Sequence, residues 1–227
     1  MVGPVEFRSL LQMAPVVPVL VIEEVRQARP LATALVSGGL PVLEVTLRTP
    51  GALMAIREMS AVEGCIVGAG TVLNAEQAEL AVAAGAKFLV SPGWSPALLD
   101  AAERLNVAIL PGVATASEAM AVQERGIRIA KFFPAEQAGG APFLKALASP
   151  LPELSFCPTG GITVGNAANY LKLSNVICVG GSWVAPAALV KGGEWGEIER
   201  LARQSRGLRG DPKDETAAPS RHLMDRV

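Results

Sequence analysis

The stretch CIVGAGTVLNAEQAELAVAAGAKFLVSPG, residues 65–93, contains two short apolar runs separated by an alanine-rich segment. The runs CIVGAG (65–70) and FLVSPG (88–93) have the length and composition of buried strands. In the segment between them, Asn74 is placed as a helix N-cap and Gly85 as the residue after the helix, while apolar residues recur at three- and four-residue spacing. The stretch therefore predicts a strand–helix–strand unit of a parallel sheet.

The same alternation repeats along most of the chain, at intervals of about 20–27 residues. The predicted strands are PVVPVLVI (15–22), VLEVTLR (42–48), CIVGAG (65–70), FLVSPG (88–93), AILPGV (108–113), IRIAKFFP (127–134), LSFCPTGG (154–161) and VICVGGS (176–182). Eight strands each followed by a helix predict an α/β fold that closes into a (β/α)8 TIM barrel, with a short N-terminal helix at residues 5–13. A doubly wound open sheet is the alternative, but the GxGxxG turn expected after its first strand is absent.

The composition fits one large globular domain, since 50% of the 227 residues are hydrophobic and 18% are charged. We assign residues 1–206 to this domain and residues 207–227 to a polar C-terminal extension. The formal net charge of -1 argues against a nucleic-acid partner or a membrane-surface protein. We expect a cytoplasmic protein, because the N-terminus has no basic leader and the three cysteines form neither a disulfide framework nor a metal spacing. The single histidine, His222, argues against a His triad or a site with several His ligands.

Polar residues occur near the end of the second predicted strand, and the C-terminal strand ends are where a barrel of this type carries its active site. Glu44, Thr46 and Arg48 alternate along this strand and therefore share one face. A carboxylate and a guanidinium on one buried face fit either a structural ion pair or a catalytic acid/base beside an anion-binding group. Thr71 lies at the corresponding end of the third strand, where a threonine is either a cap, a packed hydroxyl or a site residue.

One lysine, Lys131, lies in the mainly apolar sixth strand, with Phe133 on the same face. Its amine can reach water from the strand end, as lysines beside apolar residues commonly do. Alternatively, burial or a nearby cation such as Arg48 favours the neutral amine, which is the form that attacks a ketone to make a Schiff base. The residues alone leave both interpretations open.

Glycine pairs end the seventh and eighth predicted strands, as Gly160–Gly161 and Gly180–Gly181, and Ser182 follows the second pair. Glycines let backbone amides approach a ligand closely, and the loops after strands seven and eight of this fold are a recurrent phosphate site. The pattern favours phosphate binding over two tight turns without a ligand.

Seven motifs together, PVVPVL, LEVTLRT, GAGTVLN, SPG, KFFPAE, CPTGGI and GGSW, resemble those of the bacterial 2-keto-3-deoxy-6-phosphogluconate (KDPG) aldolases. The likeness extends from about Leu10 to Arg203 and includes the related 4-hydroxy-2-oxoglutarate (KHG) aldolases. Members are Schiff-base pyruvate aldolases of the Entner–Doudoroff pathway, typically homotrimers, that need no metal or other cofactor. The resemblance implies cleavage of a phosphorylated keto acid, KDPG, to pyruvate and glyceraldehyde 3-phosphate.

The resemblance also implies a role for each matching residue. Lys131 corresponds to the Schiff-base lysine, and Glu44 to the general acid/base. The remaining matches are Arg48, Thr71 and Thr159 for the substrate carboxylate, Gly160, Gly161 and Ser182 for the phosphate, and Phe133 and Pro92 for the pocket wall.

Three other functions fit parts of the pattern. A related pyruvate aldolase would act on KHG or on 2-keto-3-deoxy-6-phosphogalactonate. A phosphosugar isomerase or epimerase of the same fold would use Glu44 to abstract a proton, without covalent chemistry. A non-catalytic phosphate-ligand binder would require Glu44 and Lys131 to form only an internal ion pair.

Overall fold

A computed structural model describes residues 4–209 of the chain. His222 lies outside the described residues, as do residues 210–227 of the predicted extension. Within the described part, no helix is both long enough and apolar enough to cross a membrane.

Strands and helices alternate along the described residues, as the sequence predicts. The strands are β1 (Val16–Leu20), β2 (Val42–Thr46), β3 (Ile66–Gly70), β4 (Phe88–Val90), β5 (Ala108–Leu110), β6 (Gly112–Val113), β7 (Ile129–Phe132), β8 (Ser155–Pro158) and β9 (Val179–Gly181). The helices are α1 (Pro4–Leu11), α2 (Ala28–Ser37), α3 (Ala52–Ser60), α4 (Ala75–Ala83), α5 (Pro96–Arg104), α6 (Ala116–Glu124), α7 (Gly140–Leu147), α8 (Ala167–Leu171), α9 (Ala187–Gly192) and α10 (Trp195–Arg206). The helix predicted ahead of the first strand is α1.

The strands form two sheets in which every pair of neighbours is parallel. The six-stranded sheet has the order β5-β4-β3-β2-β1-β9, and the three-stranded sheet has the order β6-β7-β8. The predicted α/β fold with parallel strands is therefore confirmed. The strand count differs from the prediction, because residues 4–209 contain nine strands in two sheets rather than eight in one closed barrel.

The additional strand arises at Pro111, in the middle of the fifth predicted strand. Proline has no amide hydrogen to donate to a neighbouring strand, so the hydrogen-bond ladder breaks at this residue. Before the break β5 pairs with β4, and after it β6 pairs with β7. The Pro111 carbonyl still accepts a hydrogen bond from the amide of Lys131 at 2.8 Å.

The second boundary between the sheets lies between β8 and β9. Isolated bridges pair Phe156 with Val176 and Thr159 with Gly180 there. We call the Pro111 break and this bridged contact the two seams between the sheets. The two sheets therefore curl around a shared interior and meet at both seams.

Side chains of α1 and of the inner face of the strands form an inner cluster. Its members are Phe7, Leu10, Leu11, Val17, Val42, Phe88, Val90, Leu110, Ile129, Cys157, Ile177 and Cys178. The ring of Phe7 lies 5.6 Å from that of Phe88, and Arg8 Nη2 donates to Ser155 Oγ at 3.0 Å. Because Phe88 and Ser155 each begin a strand, α1 closes the N-terminal end of the interior and leaves the C-terminal end for a site.

The alternation of β2 places polar groups inside. Val42 belongs to the inner cluster, whereas Leu43 and Val45 pack on the outer side of the sheet, beneath the helices. Side chains alternate between faces along a strand, so Glu44 and Thr46 share the inner face with Val42. Glu44 and Thr46 therefore lie on one face as predicted. The prediction is wrong for Arg48, because β2 ends at Thr46 and Arg48 lies exposed in the turn that follows.

Local capping explains where the predicted helices begin. The Asn74 side chain accepts a hydrogen bond from the amide of Gln77 at the start of α4, and Gly85 follows the helix with a φ of 109°. Thr115 and Glu118 form a reciprocal capping box at the start of α6. Each cap pairs amides that the first turn would otherwise leave without acceptors.

The chain remains part of the fold beyond the predicted domain end at residue 206. Gly207–Arg209 form a 3₁₀ turn, and Arg209 Nη2 donates to the carbonyl of Val176 at 3.1 Å and to that of Ile177. These carbonyls precede β9, so the turn lies near the N-terminal ends of the strands. The first residues of the predicted extension thus pack on the domain.

Candidate active site

Lys131 and Glu44 meet in the interior. Lys131 is the third residue of β7, and Glu44 is the central residue of β2. Lys131 Nζ donates to Glu44 Oε1 at 3.4 Å, and only 5% and 3% of the two side chains are exposed. The amine and the carboxylate can therefore exchange a proton directly, away from bulk water.

Space for the Glu44 carboxylate comes from Gly70, at the end of β3. A Cβ atom at residue 70 would lie 2.6 Å from Glu44 Cγ and 2.7 Å from Cδ, whereas carbon atoms pack favourably at about 3.5–4.0 Å. Sequence reasoning did not single out Gly70. The available signal was a glycine inside a strand, which often marks a close approach of another group.

Apart from the Glu44 carboxylate, Lys131 has uncharged neighbours in Phe133, Gly112 and Cys157. Its Nζ lies 5.2 Å from the centre of the Phe133 ring, a distance at which a cationic amine and a ring attract each other. In register, Lys131 is paired with Gly112 on one side and with Cys157 on the other. The side chain does not extend to solvent, so the interpretation of Lys131 as a lysine that reaches water is wrong for this structure.

Pro92 is separated from Lys131 by the segment that contains Gly112. It follows β4, and its main-chain carbonyl packs so closely against Gly112 that a Cβ at residue 112 would overlap it. Because Gly112 is paired with Lys131, this contact brings the backbone at Pro92 next to the segment that holds the lysine.

Arg48 and Thr71 form a hydrogen-bonded pair at the C-terminal ends of β2 and β3. Arg48 Nε donates to Thr71 Oγ1 at 3.2 Å. Thr71 has a φ of 58°, an uncommon conformation for a β-branched residue that costs about 1–3 kcal/mol. Strain of this kind is concentrated at functional sites. The pair therefore presents a guanidinium and a hydroxyl at the C-terminal ends of β2, which carries Glu44, and of its neighbour β3.

The Gly160–Gly161 turn follows β8 on the other side of the interior. Both glycines have positive φ, 100° and 76°, which side chains other than glycine rarely adopt. The preceding residue, Thr159, is 8% exposed and bridges to Gly180, so the turn lies beside the end of β9, where Ser182 is exposed.

The backbone amides at this place are available to a ligand. Within residues 4–209, the amides of Gly160, Gly161 and Ser182 donate to no backbone or side-chain acceptor. Amides that lack an internal acceptor and share one edge can bind an anionic oxygen. The structure thus brings the predicted phosphate residues together at the C-terminal ends of β8 and β9.

The described residues contain no group of three or more His, Cys, Asp or Glu side chains arranged to hold a metal ion. The arrangement consists instead of a buried amine with a carboxylate, a guanidinium with a hydroxyl, and free backbone amides. Such a set can form a covalent adduct with a carbonyl carbon, move a proton, and hold an anion at each end of a substrate.

A family model for KDPG and KHG aldolases matches residues 7–201. The chain belongs to the KDPG and KHG aldolase family. This confirms the resemblance, and the matched range includes every predicted site residue.

Curated and solved members of the KDPG aldolase family match nearly the whole chain. A 2-dehydro-3-deoxy-phosphogluconate aldolase from Pseudoalteromonas atlantica is 48% identical over 202 residues, covering 88% of this chain and 94% of the relative. The crystal structure of the Zymomonas mobilis ZM4 KDPG aldolase with 3-phosphoglycerate is 48% identical, with a TM-score of 0.86 and coverage of 91% of this chain and 97% of that one. The Legionella pneumophila KDPG aldolase, solved with pyruvate captured as a covalent carbinolamine, is 44% identical, with a TM-score of 0.85 and coverage of 88% and 97%.

Two residues of this aldolase-family chain that sequence reasoning did not assign lie beside the Gly160–Gly161 turn: Glu136 contacts the turn directly, and Tyr170 contacts Glu136. Glu136 is the last residue of the motif KFFPAE, but the motif alone does not indicate which residues its side chain contacts. Tyr170 lies on α8, far along the chain, and its hydroxyl donates to Glu136 Oε1. A contact between residues 34 positions apart leaves no local sequence pattern.

Proposed function

We propose that the chain is a class I aldolase that cleaves KDPG to pyruvate and glyceraldehyde 3-phosphate, a carbon–carbon lyase of the Entner–Doudoroff pathway. The observation that carries the proposal is the buried contact of 3.4 Å between Lys131 Nζ and Glu44 Oε1. Family membership and the covalent pyruvate adduct of the Legionella relative support it.

The proposed reaction starts when the neutral amine of Lys131 attacks the C2 ketone of the substrate. Glu44 shuttles protons as the carbinolamine forms and loses water, which gives an iminium ion at C2. Glu44 then takes the proton of the C4 hydroxyl, the C3–C4 bond breaks, and its electrons move into the iminium to give an enamine. Glyceraldehyde 3-phosphate leaves, the enamine is protonated at C3, and water releases pyruvate from Lys131. The iminium is the electron sink, so the steps balance without a metal or cofactor.

The two ends of the substrate have separate proposed sites. The guanidinium of Arg48 and the hydroxyl of Thr71 bind the carboxylate next to C2, together with Thr159. A guanidinium suits this task because it presents charge and parallel donors to a carboxylate.

At the other end, the free amides of Gly160, Gly161 and Ser182 bind the phosphate. The Zymomonas relative was solved with 3-phosphoglycerate, a phosphorylated acid, which is consistent with a phosphate site in the family. Phe133 and Pro92 form the wall of the pocket between the two sites.

The alternative substrates are KHG and 2-keto-3-deoxy-6-phosphogalactonate. KHG is favoured as the alternative because the family model includes KHG aldolases. Comparison of kcat/KM for the three compounds decides between them. A large preference for KHG, which has no phosphate, would remove the phosphate role from the glycine turn.

Trapping of the Schiff base tests the proposed function directly. Borohydride reduction in the presence of pyruvate should attach a stable adduct to the peptide that contains Lys131, identified by mass spectrometry. Lys131→Ala should lose both the adduct and nearly all turnover, while Lys87→Ala, which removes an exposed lysine beside β4, should keep both. An adduct on another lysine would refute the role of Lys131, and turnover retained by Lys131→Ala without an adduct would favour the isomerase or epimerase. A wild-type protein that releases no pyruvate from KDPG and forms no adduct would favour the binder.

We also propose that the two sheets act as one (β/α)8 barrel, in which β5 and β6 are a single interrupted strand, and that the barrel is a single domain. The proximity of β5 and β6 in sequence and the bridges between β8 and β9 support the barrel. The family resemblance supports a cytoplasmic homotrimer without nucleic-acid or membrane partners. Sedimentation equilibrium of the full chain and of a chain ending at Arg209, with rates measured on both, tests the trimer and the role of the extension.

A further inference from the structure

Glu136 supports the Gly160–Gly161 turn from the side of β7. Its backbone amide donates to the carbonyl of Gly160 at 3.1 Å. Its side chain packs against the next glycine, since a Cβ at Gly161 would lie 2.6 Å from Glu136 Cγ and 2.8 Å from its Cβ. The conformation of the turn is therefore linked to the rotamer of Glu136.

Tyr170 holds that rotamer. The residue is 1% exposed on α8, and its hydroxyl donates to Glu136 Oε1. Burial, and then the neighbouring Glu136 carboxylate, raise the pKa of Tyr170 above its ordinary value, so the hydroxyl remains a donor throughout the physiological range. The glutamate side chain, although exposed to solvent, is thus tied to a buried anchor.

The opposite side of the turn has its own support. Asn166 Nδ2 donates to the carbonyl of Gly161 at 3.0 Å, and Asn166 Oδ1 accepts from the amide of Thr163 at 2.7 Å. With both carbonyls of the turn engaged, the amides of Gly160 and Gly161 remain to donate elsewhere. The hydrogen bonds to the carbonyls therefore determine where the amides point.

We propose that Glu136 and Tyr170 are positioning residues that set the preference of the enzyme for phosphorylated over non-phosphorylated keto acids. They act by orienting the amides of the Gly160–Gly161 turn, and they do not act on the reacting carbons. The preference between keto acids rests on the proposed aldolase function. The effect of Glu136 and Tyr170 on phosphate binding at the turn does not depend on that function.

Three variants test the inference on KDPG and KHG in parallel. Tyr170→Phe and Glu136→Ala should raise KM for KDPG about tenfold, which is the loss expected when one hydrogen bond to a charged group is misplaced. The kcat for KDPG and the kcat/KM for KHG should stay at wild-type values. Glu136→Gln keeps an oxygen acceptor for the tyrosine, so it should restore the wild-type KM.

Glu153→Ala is the matched control, because it removes another exposed glutamate near the opposite end of β8. It should change neither substrate preference nor affinity. Titration calorimetry with inorganic phosphate adds a readout independent of turnover, and Tyr170→Phe should weaken this binding about tenfold.

The measurements distinguish failure of the positioning role from failure of the proposed aldolase function. Equal losses on KDPG and KHG, or unchanged phosphate affinity in Tyr170→Phe, would overturn the positioning role. A wild-type protein that binds phosphate but cleaves neither keto acid would overturn the proposed aldolase function, and the variants would still test the turn through phosphate affinity.

Discussion

Replacement of Gly70 by alanine places a methyl group against the carboxylate that is proposed to move protons. The added Cβ would lie 2.6 Å from Glu44 Cγ, so the carboxyl group must retreat by roughly 1 Å to reach an ordinary carbon contact. Gly70 does not have a positive φ, so alanine suits its backbone and the overlap is the main perturbation.

The expected effect on rate follows from this displacement. Misplacement of a catalytic group by about 1 Å can reduce the rate about 10²-fold, which corresponds to about 2.7 kcal/mol of activation free energy. We therefore expect kcat to fall by about two orders of magnitude, with a smaller change in KM because Arg48 and the glycine turn are untouched. Overpacking should also lower the free energy of unfolding by about 1–3 kcal/mol.

Gly68→Ala provides a control on the same strand and the same face. Its methyl group would overlap the ring of Phe88 rather than the carboxylate of Glu44. Calorimetry should give similar losses of stability for both variants, while pyruvate release, coupled to lactate dehydrogenase, should fall sharply only in Gly70→Ala. A wild-type kcat in Gly70→Ala, or an equal loss in Gly68→Ala, would refute the role given to the position of Glu44.

Other predictions concern strain, capping and thiol reactivity. Thr71→Gly removes a β-branched residue from positive φ, so urea unfolding should show a gain of about 1 kcal/mol while initial rates show a higher KM. Thr115→Ala breaks the capping box and should cost about 1 kcal/mol of unfolding free energy, and an unchanged urea midpoint would contradict this. Hydrogen bonds, first that from the backbone amide of residue 114, lower the pKa of Glu118, so its stabilisation is complete at neutral pH and is lost as the pH falls through the folded pKa. Glu118→Gln should therefore destabilise the protein at neutral pH but not in acid. Burial raises the pKa of the Cys65 thiol to about 11, so iodoacetamide should label it far more slowly in the native protein than in urea, and rapid native labelling would argue against its burial.

Alternation within single strands was sufficient to predict the inner face of β2. Because the side-chain period of a strand is two, Glu44 had to share a face with Thr46 whichever way the sheet curved. The distance from Glu44 to Lys131 could not be predicted in this way, since the two residues are 87 positions apart and their contact depends on how the sheets curl. The space that permits the contact comes from Gly70, which has no side chain and therefore no chemical group that would mark its role in the sequence.

The interruption of the fifth predicted strand had a visible signal. Pro111 lies in the middle of AILPGV, and proline inside a strand marks an edge or a break. The regular alternation of strands and helices nevertheless favours one strand over residues 108–113, which is why the break is not predicted. The hydrogen bond between Tyr170 and Glu136 had no comparable signal, because it depends on the packing of α8 against the loop after β7.

The two proposed catalytic residues lie on different sheets, which meet at the two seams. Lys131 belongs to the three-stranded sheet, and Glu44 to the six-stranded sheet. A rigid displacement of one sheet against the other therefore changes the Nζ–Oε1 separation directly. Arg48 and Thr71, which are proposed to bind the substrate carboxylate, move with Glu44, whereas the turn after β8 moves with Lys131. A substrate held at both ends would contact both sheets and link them. Hydrogen exchange at the Lys131 amide should therefore slow when ligand binds, and the extent of the slowing measures how strongly the ligand restricts movement between the two sheets.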